Sequence, residues 1–143
     1  MSEKHYIRCD AEGRELPADA TDYAIVFDPA TGLEWLADLL PEQHDFEGAG
    51  KAAAELDIAG GGWRLPTYHE AASIVDVTRF KPARNPVFRG ANNDGMWTST
   101  PDASGPQHLA WVVGLSYGGV TLYYQYSQFW VRPVRSARRA SSQ

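Results

Sequence analysis

Residues 60–70 read Gly-Gly-Gly-Trp-Arg-Leu-Pro-Thr-Tyr-His-Glu, and no other stretch restricts the fold as tightly. Consecutive glycines stop a helix arriving from the N-terminal side. Pro66 pushes the residue before it out of the helical region. Thr67 and Glu70 stand at the spacing of a capping box. The Thr67 hydroxyl accepts from the Glu70 amide, and the Glu70 carboxylate accepts from the Thr67 amide. A helix stop, a short extended link and a helix start therefore follow one another directly. Upstream, Phe46, Ala49, Ala53 and Leu56 recur at helical spacing behind Asp45, which predicts a first helix over 45–58. The second helix is expected over 67–77, burying Ala71, Ile74 and Val75.

Strand-forming segments flank this helical centre. The β-prone run 23–27 ends at Asp28-Pro29-Ala30-Thr31-Gly32, a turn sequence, and 33–36 alternates like a returning strand. A short strand is expected at 5–8. In the last third, 109–115 and 120–125 read as a hairpin around Ser116-Tyr117-Gly118-Gly119, and 129–134 as a further strand of the same sheet. Residues 79–106 carry four prolines and read as an irregular loop. The expected fold class is α+β, with two helices packed on a twisted, mainly antiparallel sheet bearing long loops. Residues 1–22 form a polar N-terminal segment, 23–135 the domain, and 136–143 a disordered tail.

The chain is 143 residues long, enough for one core and little more. Its net charge of −5 argues against a nucleic-acid backbone as the main partner. Acidic residues gather in the first sixty positions. Arg132, Arg135, Arg138 and Arg139 close the chain and read as a solvated basic terminus. Cys9 is the single cysteine, which excludes an internal disulfide. Met1–Asp10 holds no apolar signal-peptide core and no run is long enough to span a membrane, so the expected location is the cytoplasm.

The ordered set Asp28-x-x-Thr31-Gly32-Leu33-x-Trp35, Gly62-Trp63-Arg64-Leu65-Pro66-Thr67-x-x-Glu70, Trp97-Thr98-Ser99-Thr100, Ala110-Trp111-x-Val113 and Val131-Arg132-x-Val134-Arg135 resembles the Lcl C-terminal domain family over residues 23–135. The resemblance implies a fold like that of C-type lectins and formylglycine-generating enzymes. It implies relatives in bacterial surface proteins and in phages, some of which bind glycans or receptors. Formylglycine-generating enzymes hold copper with a cysteine pair. This chain has only Cys9, outside the matched region, and its first helix lacks the cysteine of many secreted relatives.

The Trp-Arg-Leu-Pro-Thr motif is better explained by folding than by binding. Trp63, Trp97, Trp111 and Trp130 are expected in the core, Thr67 and Glu70 in the cap. Arg64 is expected to satisfy buried carbonyls or a carboxylate such as Asp28. His5, His44, His69 and His108 are scattered, and no nucleophile motif, zinc spacing or phosphate loop is present. Asn92, Asn93, Asp94 and Asp102 are oxygen donors suited to calcium, yet their spacing is unlike an EF-hand and is ordinary turn chemistry. No metal, cofactor or catalytic residue is assigned. Tyr117, Tyr123, Tyr124, Tyr126 and Gln128 form the most suggestive tract. Its Tyr-Ser-Gly-Gln content is like that of binding loops, and cross-strand aromatic packing is the competing reading.

The expected function is non-catalytic recognition of a protein or glycan through the C-terminal hairpins, Asn92, Asn93 and Asp94, and the rest of the 85–106 loop. A phage-encoded inhibitor of a host defence protein, acting in the host cytoplasm, is the sharper form. The alternatives are a virion structural or receptor-binding component and a formylglycine-generating-type oxidoreductase.

Overall fold

The computed structural model describes residues 5–76, 78–79, 83–89, 95–101, 109–114 and 119–137. These contain strands β1 (Ile7–Cys9), β2 (Ile25–Asp28), β3 (Leu33–Leu36), β4 (Gly95–Pro101), β5 (Leu109–Gly114), β6 (Val120–Tyr124) and β7 (Val134–Ser136), with helices α1 (Phe46–Ala54) and α2 (Tyr68–Ala72). The strands form two antiparallel sheets, one ordered β1-β2-β3-β7 and the other β4-β5-β6. The α+β expectation holds, with two sheets in place of one.

The β2–β3 hairpin forms where its turn residues demand it. Asp28 is buried and takes the Ala30 amide at 3.0 Å and the Thr31 hydroxyl at 3.1 Å. Gly32 completes the turn at φ +75°, where a side chain would be strained. The run around β2 is continuously apolar because both faces of the strand are covered. Val26 joins a core with Trp35, Phe88 and Val134, whereas Ile25 joins a second core with Leu36, Trp63 and Trp97.

α1 begins at Asp45, whose carboxylate accepts from the Gly48 amide at 2.8 Å, and ends at Ala54, short of the expected 58. The glycines therefore do not stop α1. Gly60, Gly61 and Gly62 all take positive φ, after a 3-10 turn at Ile58–Gly60, and let the chain double back. α2 carries the expected capping box but stops at Ala72, five residues before the expected end.

Three larger corrections concern the C-terminal half. The segment read as an irregular loop contains β4, whose Met96, Trp97 and Thr98 are fully buried. Residues 129–134 do not extend the β5–β6 hairpin. Phe129 bridges His44, Trp130 bridges Met96, and β7 then pairs with β3 in the other sheet. The chain end is also not a solvated basic tail up to residue 137, since Arg132 and Arg135 are buried. Arg138 and Arg139 lie outside the described residues.

These arginines are held for clear reasons. Arg132 donates to the carbonyls of Leu36 (3.2 Å), Ala37 (2.6 Å) and Arg89, with its guanidinium 5.4 Å from the centre of the Phe88 ring. Arg135 stands directly opposite Glu34 in the β3–β7 register and pairs with it at 2.8 Å. It also donates to the carbonyls of Ala59 and Gly61 and covers the Trp63 ring at 4.5 Å. Removing one member of a buried pair strands the other charge, which typically costs about 3–5 kcal/mol. Arg135→Ala is expected to destabilise the domain by about that amount, and the exposed neighbour change Ser136→Ala by less than about 0.5 kcal/mol. Urea denaturation of the three proteins checks this.

Candidate binding surface

Trp63-Arg64-Leu65-Pro66-Thr67 joins the two sheets. Arg64 exchanges both backbone hydrogen bonds with Val134 of β7, at 3.0 and 2.9 Å. Two residues on, the Pro66 carbonyl accepts from the Ser99 amide of β4 at 2.7 Å, and the Tyr68 amide donates to the Thr100 hydroxyl at 3.0 Å. Trp63 is buried, with its indole N–H on the Ile58 carbonyl at 2.9 Å. The Arg64 guanidinium does not reach Asp28, as one reading of the sequence had it. It forks onto the Glu70 carboxylate at 2.7 and 3.0 Å and also donates to the Leu65 carbonyl. Glu70 thus serves two partners, the Thr67 amide (2.9 Å) and Arg64. The Arg64 guanidinium first, and the Thr67 amide with it, hold the Glu70 carboxyl below the usual carboxylate range.

The tryptophans divide. Trp63 and Trp97 are core, and Trp97 donates its indole N–H to the His44 carbonyl at 2.8 Å. Trp111 and Trp130, expected in the core, are only half-buried, and Trp111 packs edge-on against Tyr68. Trp35, which sequence reasoning left out of the core list, is fully buried. Its alternation with Glu34 in the 33–36 segment, on the same side as Leu33, is the signal that was available.

The tyrosine tract is where the surface departs from ordinary packing. Among the described residues, the exposed large hydrophobic side chains are Tyr123 (40%), Tyr124 (47%) and Tyr126 (71%). Tyr123 and Tyr124 point to opposite faces of β6, and neither enters the core. Tyr123 leans on Phe129, ring centres 4.4 Å apart. Tyr124 and Tyr126 stack in parallel, 5.1 Å apart with 6° between their planes. The turn that brings them together closes through the Ser127 amide on the Tyr124 carbonyl (2.9 Å) and is tied to α1 by the Phe46 amide on the Gln125 carbonyl (2.8 Å). The Gln125 side chain donates to the Leu109 carbonyl at 3.3 Å, and Gln128 is exposed beside the pair. No charged residue occurs between His108 and Arg132.

Tyr117, Asn92, Asn93, Asp94 and Asp102 lie outside the described residues. The start of the expected 85–106 binding loop is core: Val87 and Phe88 are buried, and the Tyr23 hydroxyl donates to the Val87 carbonyl at 2.9 Å. Among the described residues no three His, Cys, Asp or Glu side chains gather as a metal site. Cys9 is fully buried. No described helix is long and apolar enough to cross a membrane.

A feature that sequence reasoning missed is a shallow groove of about 660 Å³ between α1 and the Arg64–Thr67 link, floored by Phe46, Gly50, Ala54 and Leu65 and bordered by Ser99. A side chain at Gly50 would meet nothing within 4 Å, so packing does not require glycine there. Glycine inside a predicted helix was the available signal.

The model of the Lcl C-terminal domain family matches residues 24–135. The chain belongs to that family. No curated protein sequence matches it.

The Arg64–Glu70–Thr67 junction yields a prediction with a definite sign. A carboxyl whose folded-state pKa is lowered contributes stability above its unfolded pKa, and that contribution is lost as pH falls through the folded value. Glu70→Gln should therefore destabilise most near neutrality. Its deficit relative to the parent should shrink as pH drops from about 6 towards about 3, a range that brackets the ordinary Glu value. Thr67→Ala, which removes the other half of the cap, should cost about 1 kcal/mol at neutral pH. Denaturation midpoints measured across that range check both, and a Glu70→Gln deficit independent of pH contradicts the assignment.

Proposed function

We propose that this domain is a non-catalytic recognition module that docks a protein partner on the tyrosines of β6 and the turn behind it. One observation carries the reading: Tyr123, Tyr124 and Tyr126 are the large hydrophobic side chains left exposed among the described residues, and all three fall in one uncharged tract. Tyrosine offers wide contact area with few rotatable bonds and a hydroxyl that tolerates water, which is why it is enriched in protein-binding surfaces. The parallel Tyr124–Tyr126 pair is already ordered, so less side-chain entropy is lost on docking. The buried motifs, by contrast, are absorbed by folding.

Membership of the Lcl C-terminal domain family supports a display scaffold of the C-type-lectin-like and formylglycine-generating-enzyme-like kind, on which strands and loops present a binding face. A copper-dependent activity of the formylglycine-generating type does not suit this chain, since it needs a cysteine pair and Cys9 is alone. The sharper form of the proposal is a phage-encoded inhibitor that acts in the host cytoplasm on a defence protein. An acidic chain with an uncharged aromatic patch suits a partner whose basic surface steers the encounter and whose apolar pocket receives the tyrosines.

The test starts from a partner captured by a photoreactive side chain at position 126. Tyr126→Ala should then weaken binding by about 2 kcal/mol or more, roughly 30-fold, without moving the melting temperature. Gln128→Ala should cost little. If each substitution that weakens binding lowers the melting temperature in proportion, the tyrosines belong to the fold. The site then moves to the acidic N-terminal face around Glu12, Glu15 and Asp19. Capture of an oligosaccharide in place of a protein would reassign the ligand class.

A further inference from the structure

The outer edge of β6 supplies a second interaction, argued from its backbone and not from the exposure of the tyrosine rings. Among the described residues β6 is the last strand of its sheet, with β5 along one side of it. The Gly114 amide donates to the Gly119 carbonyl at 2.8 Å, and continuing the β5–β6 register sets these residues directly opposite each other. Hydrogen-bonded pairs alternate along an antiparallel ladder. Thr121 and Tyr123, opposite Val112 and Ala110, therefore turn their backbone groups towards β5. Val120 and Leu122 turn theirs outward. Among the described residues no other backbone hydrogen bond reaches Val120 or Leu122.

Natural edge strands are ordinarily blunted by charge, proline or a bulge. This one has none of these. The chain carries no Asp, Glu, Lys or Arg from Leu109 to Val131 and no proline from Leu109 to Arg132, and the register irregularity in the sheet falls on β4, away from the edge. In a chain of net charge −5, two copies repel each other, and this strand is a place where they meet without opposing charges of like sign.

The edge is also complementary to itself. An antiparallel two-fold axis through Leu122 sets the outward amide and carbonyl of Leu122 against those of Leu122 in the second copy. It places Val120 opposite Tyr124 and Thr121 opposite Tyr123. These two flanking pairs each join a β-branched residue to an aromatic one, a favourable combination on a sheet surface. A symmetric contact of this kind is isologous and closes at two copies. We infer that two copies of this chain pair through β6 and continue the β4-β5-β6 sheet across a two-fold axis.

Sedimentation equilibrium of the full chain without any partner tests this. The contact is short and belongs with the small, transient interfaces, so the series should run to about 1 mM. The apparent mass should rise from 15.8 kDa towards twice that value as concentration increases. Leu122→Pro removes an outward amide that the monomer does not use, a change edge strands accept. It should weaken the dimer at least tenfold. Thr121→Glu alters an exposed side chain and should do the same by setting like charges near the axis, which keeps the test valid if Leu122→Pro fails to fold. Leu122→Cys should give a disulfide-linked dimer on mild oxidation, because opposed residues of a hydrogen-bonded pair lie about 5.5 Å apart, within disulfide reach. The buried Cys9 does not compete for this bridge. A mass that stays at 15.8 kDa throughout overturns the inference, as does a dimer that neither Leu122→Pro nor Thr121→Glu weakens. Either failure leaves the tyrosine-docking proposal standing, because this test contains no partner.

Discussion

The buried Glu34–Arg135 pair closes the β1-β2-β3-β7 sheet at its β7 edge. It ties the last strand to β3, at a distance in sequence where nothing local helps, and it does so in register, one residue directly across from the other. From Arg135 the contacts spread to the Ala59 and Gly61 carbonyls and the Trp63 ring, which fixes the glycine turn and the link behind it. Three residues earlier, Arg132 does similar work for the chain leaving β3, through the Leu36 and Ala37 carbonyls. Charge is costly to bury, so each guanidinium is surrounded by acceptors and aromatic faces. The segment from Phe129 to Arg135 can therefore run between the two sheets, touching His44, Met96 and Arg64 as it passes. With those residues committed to the interior, the tract just before them, Tyr123 to Gln128, is left at the surface.

Local signals in the sequence were legible because they are self-contained. The Asp28–Gly32 turn, the Thr67–Glu70 box and the β5–β6 alternation each need only a few neighbouring residues to take effect, and each formed. Three kinds of feature were not legible. β4 sits in a segment flanked by prolines and polar residues, and its strand character comes from pairing with β5 and from the burial of Met96 and Trp97. α1 ended early because glycine permits a stop without forcing one, and the helix closed at Glu55 before the glycines were reached. The arginines at 132 and 135 looked like a basic terminus because their partners, backbone carbonyls and a glutamate about a hundred residues away, leave no trace in nearby sequence.

The candidate surface was legible in part. Strand alternation required that Tyr123 and Tyr124 face opposite ways, and both are exposed. Alternation could not place Tyr126, because its position depends on the turn that stacks it on Tyr124. The early part of the proline-rich segment went the other way. Phe88 and Val87 fill the core beside Trp35 and Tyr23, so residues that looked like loop are packing. Trp35 stands in a motif that reads as a hairpin, yet with Trp97 it is one of the two largest fully buried side chains among the described residues.

The proposed binding role requires a division between residues consumed by folding and residues left exposed. Chemical labelling of tyrosine rings in the dilute native protein, read residue by residue by mass spectrometry, tests that division directly. Tyr126 should be modified without loss of fold. Tyr23, buried with its hydroxyl on the Val87 carbonyl, should resist until the protein is unfolded. Protection of Tyr126 equal to that of Tyr23 would place the tract in the interior and contradict the account.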